Sequence, residues 1–568
     1  MKPSPTLLLF LFIWLVVNLI QAYFTGLFND EAYYFFYSLD LAWGYYDHPP
    51  LIALFIKLGY LVFHNELGVR FLYILLSLGT IAIIHKLAEA KNEWLFGVLI
   101  FSFLIFQITG FLALPDSLLL FFTALFFMVY KRYSETESIG NAVLLGLVMV
   151  GMFYSKYLGI LVVFFTVLSN FRLLFKKSFW LSVGVTTVLF IPHLVWQYNH
   201  DFPSFYYHLI ERSHDEFFRW SNFGDYIVGQ FAQTNPFLFI PILYFLILFK
   251  PLNPYDRALK VTALGCLLLP FLMMVKGRVE ANWTMAGLIP VFLVAYRVFE
   301  SRPKMHRFIY FSGGITLILV ILIRIIIIYN FLPDKYTSRA LQDISGWSKF
   351  SRQVSELAKD RPVVFTGSYQ NPSQYIFYTG KEAFSFNNAL YRKNQFDLED
   401  IEEKLQGKEV MLVFPKKNIS ADDLKEYNIN LCDSLMYPNG KYRPYIFEKN
   451  YRSYNFIQAE ILLENHEINA GEEVNIPVIL SNPGEHPVWF KEAEPGRVYL
   501  TYYLLQYGQP VIYKKFEDIT QLVLDDKYKT SFRMKVPDKP GIYFLKVSIK
   551  SGWSPPGINS RLVKIRVE

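Results

Sequence analysis

Asp30 and Glu31 stand side by side after an apolar run, and Gly44-Tyr45-Tyr46-Asp47-His48-Pro49-Pro50-Leu51 follows soon after. Three carboxylates and a histidine thus share one stretch flanked by segments that avoid water. Acidic side chains near hydrocarbon are costly, so such a cluster marks a functional site by default. A carboxylate there can take a proton from an attacking hydroxyl. An aspartate beside an imidazole can instead hold a divalent cation or contact a phosphate and an acceptor directly.

The elements that must position these groups follow from composition. Of 568 residues, 53% are hydrophobic and 18% aromatic. The apolar residues come in runs such as 94–113 and 308–329, each long enough to cross about 30 Å of hydrocarbon. The chain is therefore expected to be a polytopic membrane protein. Its net charge of +7 does not argue for nucleic acid, because the cations punctuate the ends of apolar runs and form no arginine-rich tract. Cys266 and Cys432 fall in unlike segments, so no disulfide framework is readable. The run at 6–20 lacks a clean small-x-small cleavage site and is expected to stay as the first helix.

Helices are expected near 6–24, 69–87, 94–113, 117–130, 140–154, 157–173, 179–196, 226–249, 259–275, 283–298 and 308–330, about eleven crossings. Alternate connections carry Lys86 and Lys91; Lys131 and Arg132; Arg172, Lys176 and Lys177; Lys250, Arg257 and Lys260; then Arg297, Arg302, Lys304 and Arg307. Short basic loops stay cytoplasmic, so the N-terminus is expected inside and the C-terminal region outside. The other connections then share the outer face. They hold Asp30, Glu31, Asp47 and His48, then Asp116, Lys156, the stretch 197–225, and residues 276–283. Within the first outer loop, 51–63 reads as an interfacial helix begun by Pro49-Pro50. Tyr33, Tyr34, Phe35, Tyr37, Trp43, Tyr45 and Tyr46 read as an aromatic belt at headgroup level.

Past residue 330 the chain turns soluble. Strands and helices alternate over 345–450, as in a small α/β domain. From about 455, short strands separated by Pro, Gly, Asn and Asp turns read as an immunoglobulin-like β-sandwich. The expected division is 1–332 membrane domain, 333–452 α/β domain and 453–568 sandwich.

The Asp-Glu pair with Tyr-Tyr-Asp-His-Pro-Pro-Leu resembles the polyprenyl-phosphate-sugar-dependent glycosyltransferases of the GT-C type. That group includes the protein O-mannosyltransferases of glycosyltransferase family 39 and the aminoarabinose transferases that modify lipid A. The resemblance covers roughly residues 1–330. The Asp-His-Pro-Pro form looks closer to the mannosyltransferases, since the aminoarabinose enzymes more often carry Glu-Lys-Pro there. It implies an inverting transfer from a polyprenyl-phosphate sugar, with the first acid of the Asp-Glu pair as general base.

On that reading Asp30 is the base, and Glu31 orients the acceptor or caps a helix. Asp47 joins the catalytic group, His48 contacts donor phosphate or sugar, and a divalent metal at Asp47 and His48 stays open. Negative charge develops on the departing lipid phosphate and calls for cations. Lys156, in Ser155-Lys156-Tyr157, matches the family's outer-surface lysine, and a snorkelling lysine is its structural alternative. Arg70 has the same standing. Arg324, inside the last apolar helix, binds phosphate or snorkels. Arg278, Asn282 and Trp283 resemble an outer motif that holds donor sugar or phosphate, or else a stop-transfer flank. Tyr45, Tyr46 and Asp116 stand behind these as supports, Asp116 also serving as a helix dipole cap. His193, His208 and His214 show no ligand spacing.

The partners implied are the lipid-linked donor, the bilayer, and an extracytoplasmic lipid, glycan or protein acceptor, in a bacterial inner membrane. The alternative is a flippase for lipid-linked sugars. It is disfavoured because transporters place polar groups at the midplane of repeated halves. A glycan- or protein-binding receptor would leave the carboxylate loop unexplained. Which sugar moves is not written in the residues.

Overall fold

The computed structural model describes the chain apart from residues 1–2, 210, 212–219, 276, 278, 330–343, 415–432, 439–441, 493–496 and 553. Two compact units are formed. One holds the helices up to Ser204 and those from Trp220 to Tyr329; the other holds residues 205–211 and the chain from 344 onward.

The first unit opens with α1 (Pro5–Phe24), α2 (Asn29–Leu39), α3 (Leu51–Tyr60) and α4 (Glu66–Ala88). Next come α5 (Glu93–Ser102), α6 (Leu104–Thr109), α7 (Pro115–Glu135), α8 (Ile139–Ser155) and α9 (Gly159–Ser169). α10 (Lys177–Asn199), α11 (Pro203–Leu209, its residues from 205 onward counted with the second unit), α12 (Trp220–Gln233), α13 (Phe239–Leu248) and α14 (Pro254–Met273) follow. α15 (Leu288–Glu300) and α16 (Pro303–Tyr329) complete the series. Among the described residues, five helical spans are long and apolar enough to cross a membrane: α1, α4, α10, Ala281–Glu300 and α16. Several shorter apolar helices accompany them, α3, α5, α8, α9 and α13.

The expected helix 157–173 stops at Ser169 and gives way to a tighter helical turn at Phe171–Phe175, and the runs 94–113 and 226–249 are each split for a visible reason. The run 94–113 interrupts at Phe103, whose backbone turns extended. Leu104 N–H there donates to Thr234 O at 2.7 Å, and Asn235 Nδ2 donates to Ser102 O at 3.2 Å. The run 226–249 splits between α12 and α13, where the Asn235 side chain accepts from the N–H groups of Phe237 and Leu238. The two breaks satisfy each other's backbone, as hydrocarbon demands. The Pro-Pro start yields α3 as expected. α3 lies tightly on α4, since a Cβ on Gly59 would sit 2.3 Å from Gly68 O.

The second unit carries α17 (Trp347–Ala358), α18 (Gln370–Thr379) and α19 (Ile401–Leu405). With them come β1 (Val363–Thr366), β2 (Ala383–Phe386), β3 (Val410–Val413), β4 (Asp433–Met436) and β5 (Tyr442–Glu448), in the mixed order β2-β1-β3-β5-β4. The expected helix at 421–427 lies outside the described residues. Beyond them lie β6 (Gln458–Ile461), β7 (Glu467–Ile468), β8 (Glu473–Ser481), β9 (Val488–Trp489) and β10 (Val498–Gln506). β11 (Gln509–Asp518), β12 (Val523–Leu524), β13 (Lys527–Lys535), β14 (Gly541–Ser551) and β15 (Val563–Val567) finish the chain. Sheets β11-β10-β14-β15-β7 and β13-β8-β6 enclose one apolar core that includes Leu500, Leu504, Val478, Leu480 and Val547. Alternating burial along β8 and β13 matches a sheet with one face inward.

Candidate active site

The carboxylates Asp30 and Glu31 share the first turn of α2 and differ in exposure. Glu31 is fully buried, whereas Asp30 is exposed. Glu31 accepts from Arg70 Nε at 2.9 Å and Nη2 at 2.5 Å, from Ala113 N at 2.9 Å and from Phe28 N at 3.1 Å. The Phe28 contact closes the start of α2, so the capping expectation falls on Glu31. Arg70, also fully buried, sends its remaining donors to the carbonyls of Ala22, Thr25 and Gly26. All five guanidinium N–H groups are thereby engaged with protein. Arg70 was expected to meet phosphate; here it clamps Glu31 and the α1–α2 turn.

Asp30, Tyr33, Tyr34 and Tyr37 fall on one stripe of α2 by helical spacing. The Tyr37 hydroxyl donates to Asp47 Oδ1, and the Tyr34 hydroxyl shares a hydrogen bond with His48 Nε2 at 3.1 Å. Tyr45 stacks on Tyr37 with ring centroids 4.3 Å apart and donates to Asp40 O at 3.0 Å. The exposed carboxylate and the Asp47-His48 pair are thus referred to one helix face. Of the residues expected in an aromatic belt, Trp43 is exposed, whereas Tyr33, Tyr34, Phe35, Tyr37, Tyr45 and Tyr46 are buried in the protein. Among the described residues no three His, Cys, Asp or Glu side chains gather at a metal-ligating spacing.

A ring of hydrogen bonds holds the loop before Asp47. His193 Nδ1 bonds Trp43 O at 2.7 Å and its Nε2 bonds the Tyr157 hydroxyl at 3.0 Å. Gln197 donates to Ser204 Oγ at 2.7 Å, and Ser204 donates to Tyr45 O at 2.9 Å. Gly44 lies flat on this ring, for a Cβ there would come 2.4 Å from the Trp196 indole. Sequence alone weighs His193 only as a metal ligand, and gives Gln197 and Ser204 no role beyond their place in the stretch 197–225. Their only trace is polar character at the end of an apolar run.

Lys156 Nζ pairs with Asp116 Oδ1 at 2.7 Å, the two side chains 13% and 7% exposed. Arg324 differs from both other cations. It is buried, and its Nη2 donates to Asn18 Oδ1 at 3.0 Å and to Gln107 Oε1 and O at 2.9 and 3.1 Å. Its Nη1 is buried with no partner, and no carboxylate pairs with it among the described residues. Snorkelling is therefore not its conformation. The Phe111 ring lies 5.5 Å from the Arg70 guanidinium and 5.4 Å from that of Arg324. Asn18 and Gln107, polar residues inside apolar runs, were the readable signals for this nest.

Trp283 packs against Tyr226, Met274 and Val279, and Asn282 keeps a buried Oδ1 without a partner. Arg278 lies outside the described residues, as do Lys276 and His214. Asp116 is the partner of Lys156, and Tyr46 is buried.

Three comparisons bear on this arrangement. Residues 47–196 match the family described as dolichyl-phosphate-mannose-protein mannosyltransferase, a stretch that begins at Asp47 and includes His48, Arg70, Asp116 and Lys156. The lipid A galacturonosyltransferase RgtD of Rhizobium johnstonii is 24% identical over 383 residues, 63% of this chain and 79% of that protein. The crystal structure of ArnT from Cupriavidus metallidurans in the apo state superposes with a TM-score of 0.56 at 14% identity, covering 78% of this chain and 97% of that one. The family match, the sequence relative and the fold point the same way: part of this chain resembles glycosyltransferases of the mannosyltransferase and lipid A galacturonosyltransferase kind, and its fold is similar to that of ArnT.

Proposed function

We propose that the chain is an inverting glycosyltransferase that moves a sugar from a polyprenyl-phosphate donor to an acceptor hydroxyl at the outer face of a bacterial inner membrane. The contrast between neighbours Asp30 and Glu31 carries this reading. One carboxylate is neutralised and enclosed by Arg70, while the other is exposed on the stripe that holds Asp47 and His48. Asp30 accepts the acceptor's proton as the oxygen attacks the anomeric carbon. The sugar–phosphate bond breaks behind it, and the lipid phosphate leaves with the bonding electrons.

Arg324 meets that phosphate, supported by its unused Nη1 and its lack of a carboxylate partner. Lys156, held by Asp116, adds a second cation at the surface. Asn282, with its orphaned acceptor, joins Trp283 and Arg278 as the proposed sugar contacts. The name of the Rhizobium relative favours a lipid A-like glycolipid as acceptor. The topology proposed has about eleven crossings with the 333–452 and 453–568 domains outside.

Mass spectrometry of envelope lipids and glycoproteins from cells with and without the chain tests the reading. A sugar-sized mass difference on one species names both sugar and carrier. Identical profiles from cells holding the folded protein would overturn it.

A further inference from the structure

A cavity of about 760 Å³ lies in the first unit, and none of Asp30, Asp47, Lys156 or Arg324 lines it. Thr6 contributes from the first turn of α1, and Lys91, Glu93 and Trp94 from the α4–α5 connection and the start of α5. Glu300 closes the end of α15, and His306 stands in the first turn of α16. Thr6, Glu300 and His306 belong to helical spans long and apolar enough to cross a membrane, and α4 is a fourth. The ends of these spans meet here, so the cavity lies at the level where headgroups replace hydrocarbon.

The charges of its wall are unequally engaged. Glu93 is occupied on both oxygens, Oε1 accepting from Ser4 Oγ at 2.8 Å and Oε2 bonding His85 Nε2 at 3.0 Å. Arg297, also in the wall, pairs with Asp256 at 2.7 Å. Glu300 is engaged through one oxygen. Its Oε1 accepts from Lys91 N and Asn92 N, both at 2.9 Å, and from the Tyr296 hydroxyl at 2.6 Å. Glu300 Oε2 and Lys91 Nζ have no hydrogen bond or ion pair among the described residues. The two side chains interact electrostatically without pairing. One cavity thus offers an unpaired cation and an unpaired carboxylate oxygen, complementary to a ligand that carries both charges.

We propose that this cavity seats the headgroup of a phosphatidylethanolamine from the surrounding bilayer. Its phosphate meets Lys91, and its ammonium donates to Glu300 Oε2. An anionic lipid would bring a second negative charge to Glu300 with no ammonium to answer it. A lipid fits better than a soluble ion, because an apolar track leads away from the polar wall. Leu9 and Ile13 follow Thr6 on one stripe of α1, and both are exposed. Trp94, also exposed, packs edge-on against Phe10 with ring centroids 5.5 Å apart. An indole, apolar in body with one polar N–H, suits this boundary. The site is independent of the transfer reaction.

Native mass spectrometry of the full chain in detergent tests it, with phosphatidylethanolamine, phosphatidylcholine and phosphatidylglycerol titrated separately. Phosphatidylcholine keeps both charges but has no ammonium N–H to give. One phosphatidylethanolamine is expected to bind about tenfold more tightly than either of the others. Glu300→Gln keeps an acceptor for the Lys91 and Asn92 N–H groups and should erase that preference. Lys91→Met should weaken all three lipids about fivefold. Equal binding of the three by wild type, or a preference for phosphatidylglycerol, would overturn the proposal. So would a folded Glu300→Gln chain with the full preference, or a Lys91→Met chain with unchanged affinity. Soluble phosphoethanolamine binding as tightly as the lipid would overturn the assignment to a bilayer lipid.

Discussion

Both units bury carboxylates beside a basic side chain, and they do so in opposite ways. In the membrane unit, Glu31 and Arg70 form a bidentate pair whose every donor is used. In the second unit, Asp397, Glu402 and Lys546 lie together but bond mainly to amides and a carbonyl. The first arrangement fixes charge and geometry; the second leaves protons to decide the charge. The difference teaches which buried acids are scaffolding and which respond to solution. It also isolates Arg324, a buried cation that shares Phe111 with Arg70 and has no acidic partner among the described residues.

Breaking the paired region is expected to have the largest effect. Arg70→Met strands Glu31 and should cost about 3–5 kcal/mol, read as a fall in the unfolding midpoint of the detergent-solubilised chain. Arg70→Lys should rescue little, because an ammonium cannot reproduce the fork that spans Glu31 and three carbonyls. A cycle with Glu31→Gln would show strong coupling between the two sites.

The second unit should answer to pH instead. Glu402 has a folded-state value raised to about 7, so its contribution is complete below its ordinary range and is lost as pH rises through about 7. Asp397 acts in the same direction through about 6. The lowered value of Lys546 works the other way, its contribution being lost as pH falls through about 8. The second unit should therefore melt lower at pH 8 than at pH 5, by about 1–3 kcal/mol in stability, and Glu402→Gln should flatten that slope.

Two smaller changes sharpen the contrast within the membrane unit. Gly44→Ala forces a Cβ against Trp196 and should cost about 1–3 kcal/mol, with the Asp47 loop displaced. Arg324→Gln removes an uncompensated charge and should change stability by less than about 1 kcal/mol while abolishing transfer. Loss of stability with transfer intact would assign Arg324 to the scaffold.

Much of this site was legible in the residues because local chemistry fixes it. Pro49-Pro50 starts α3, the acidic first turn starts α2, and alternation marks β8 and β13. The long-range partners were not legible. Nothing in spacing says that Arg70 closes on Glu31, since the pair depends on how α1, α2 and α4 converge. Nor could spacing show that the tyrosines after Asp30 turn inward to hold Asp47 and His48. The helix breaks at Phe103 and Asn235 escaped for the same reason, each being satisfied by the other's segment. The two apolar-run residues that hold Arg324, Asn18 and Gln107, were visible and went unread.

The most direct test compares Asp30→Asn with wild type at equal amounts of folded protein, by mass spectrometry of the sugar-modified envelope species. The account predicts that the species falls by about a hundredfold or more, with the melting temperature unchanged, because an exposed acid is removed and the Glu31 clamp stays intact. A variant that folds and still delivers wild-type modification would contradict the assignment of Asp30 as the base.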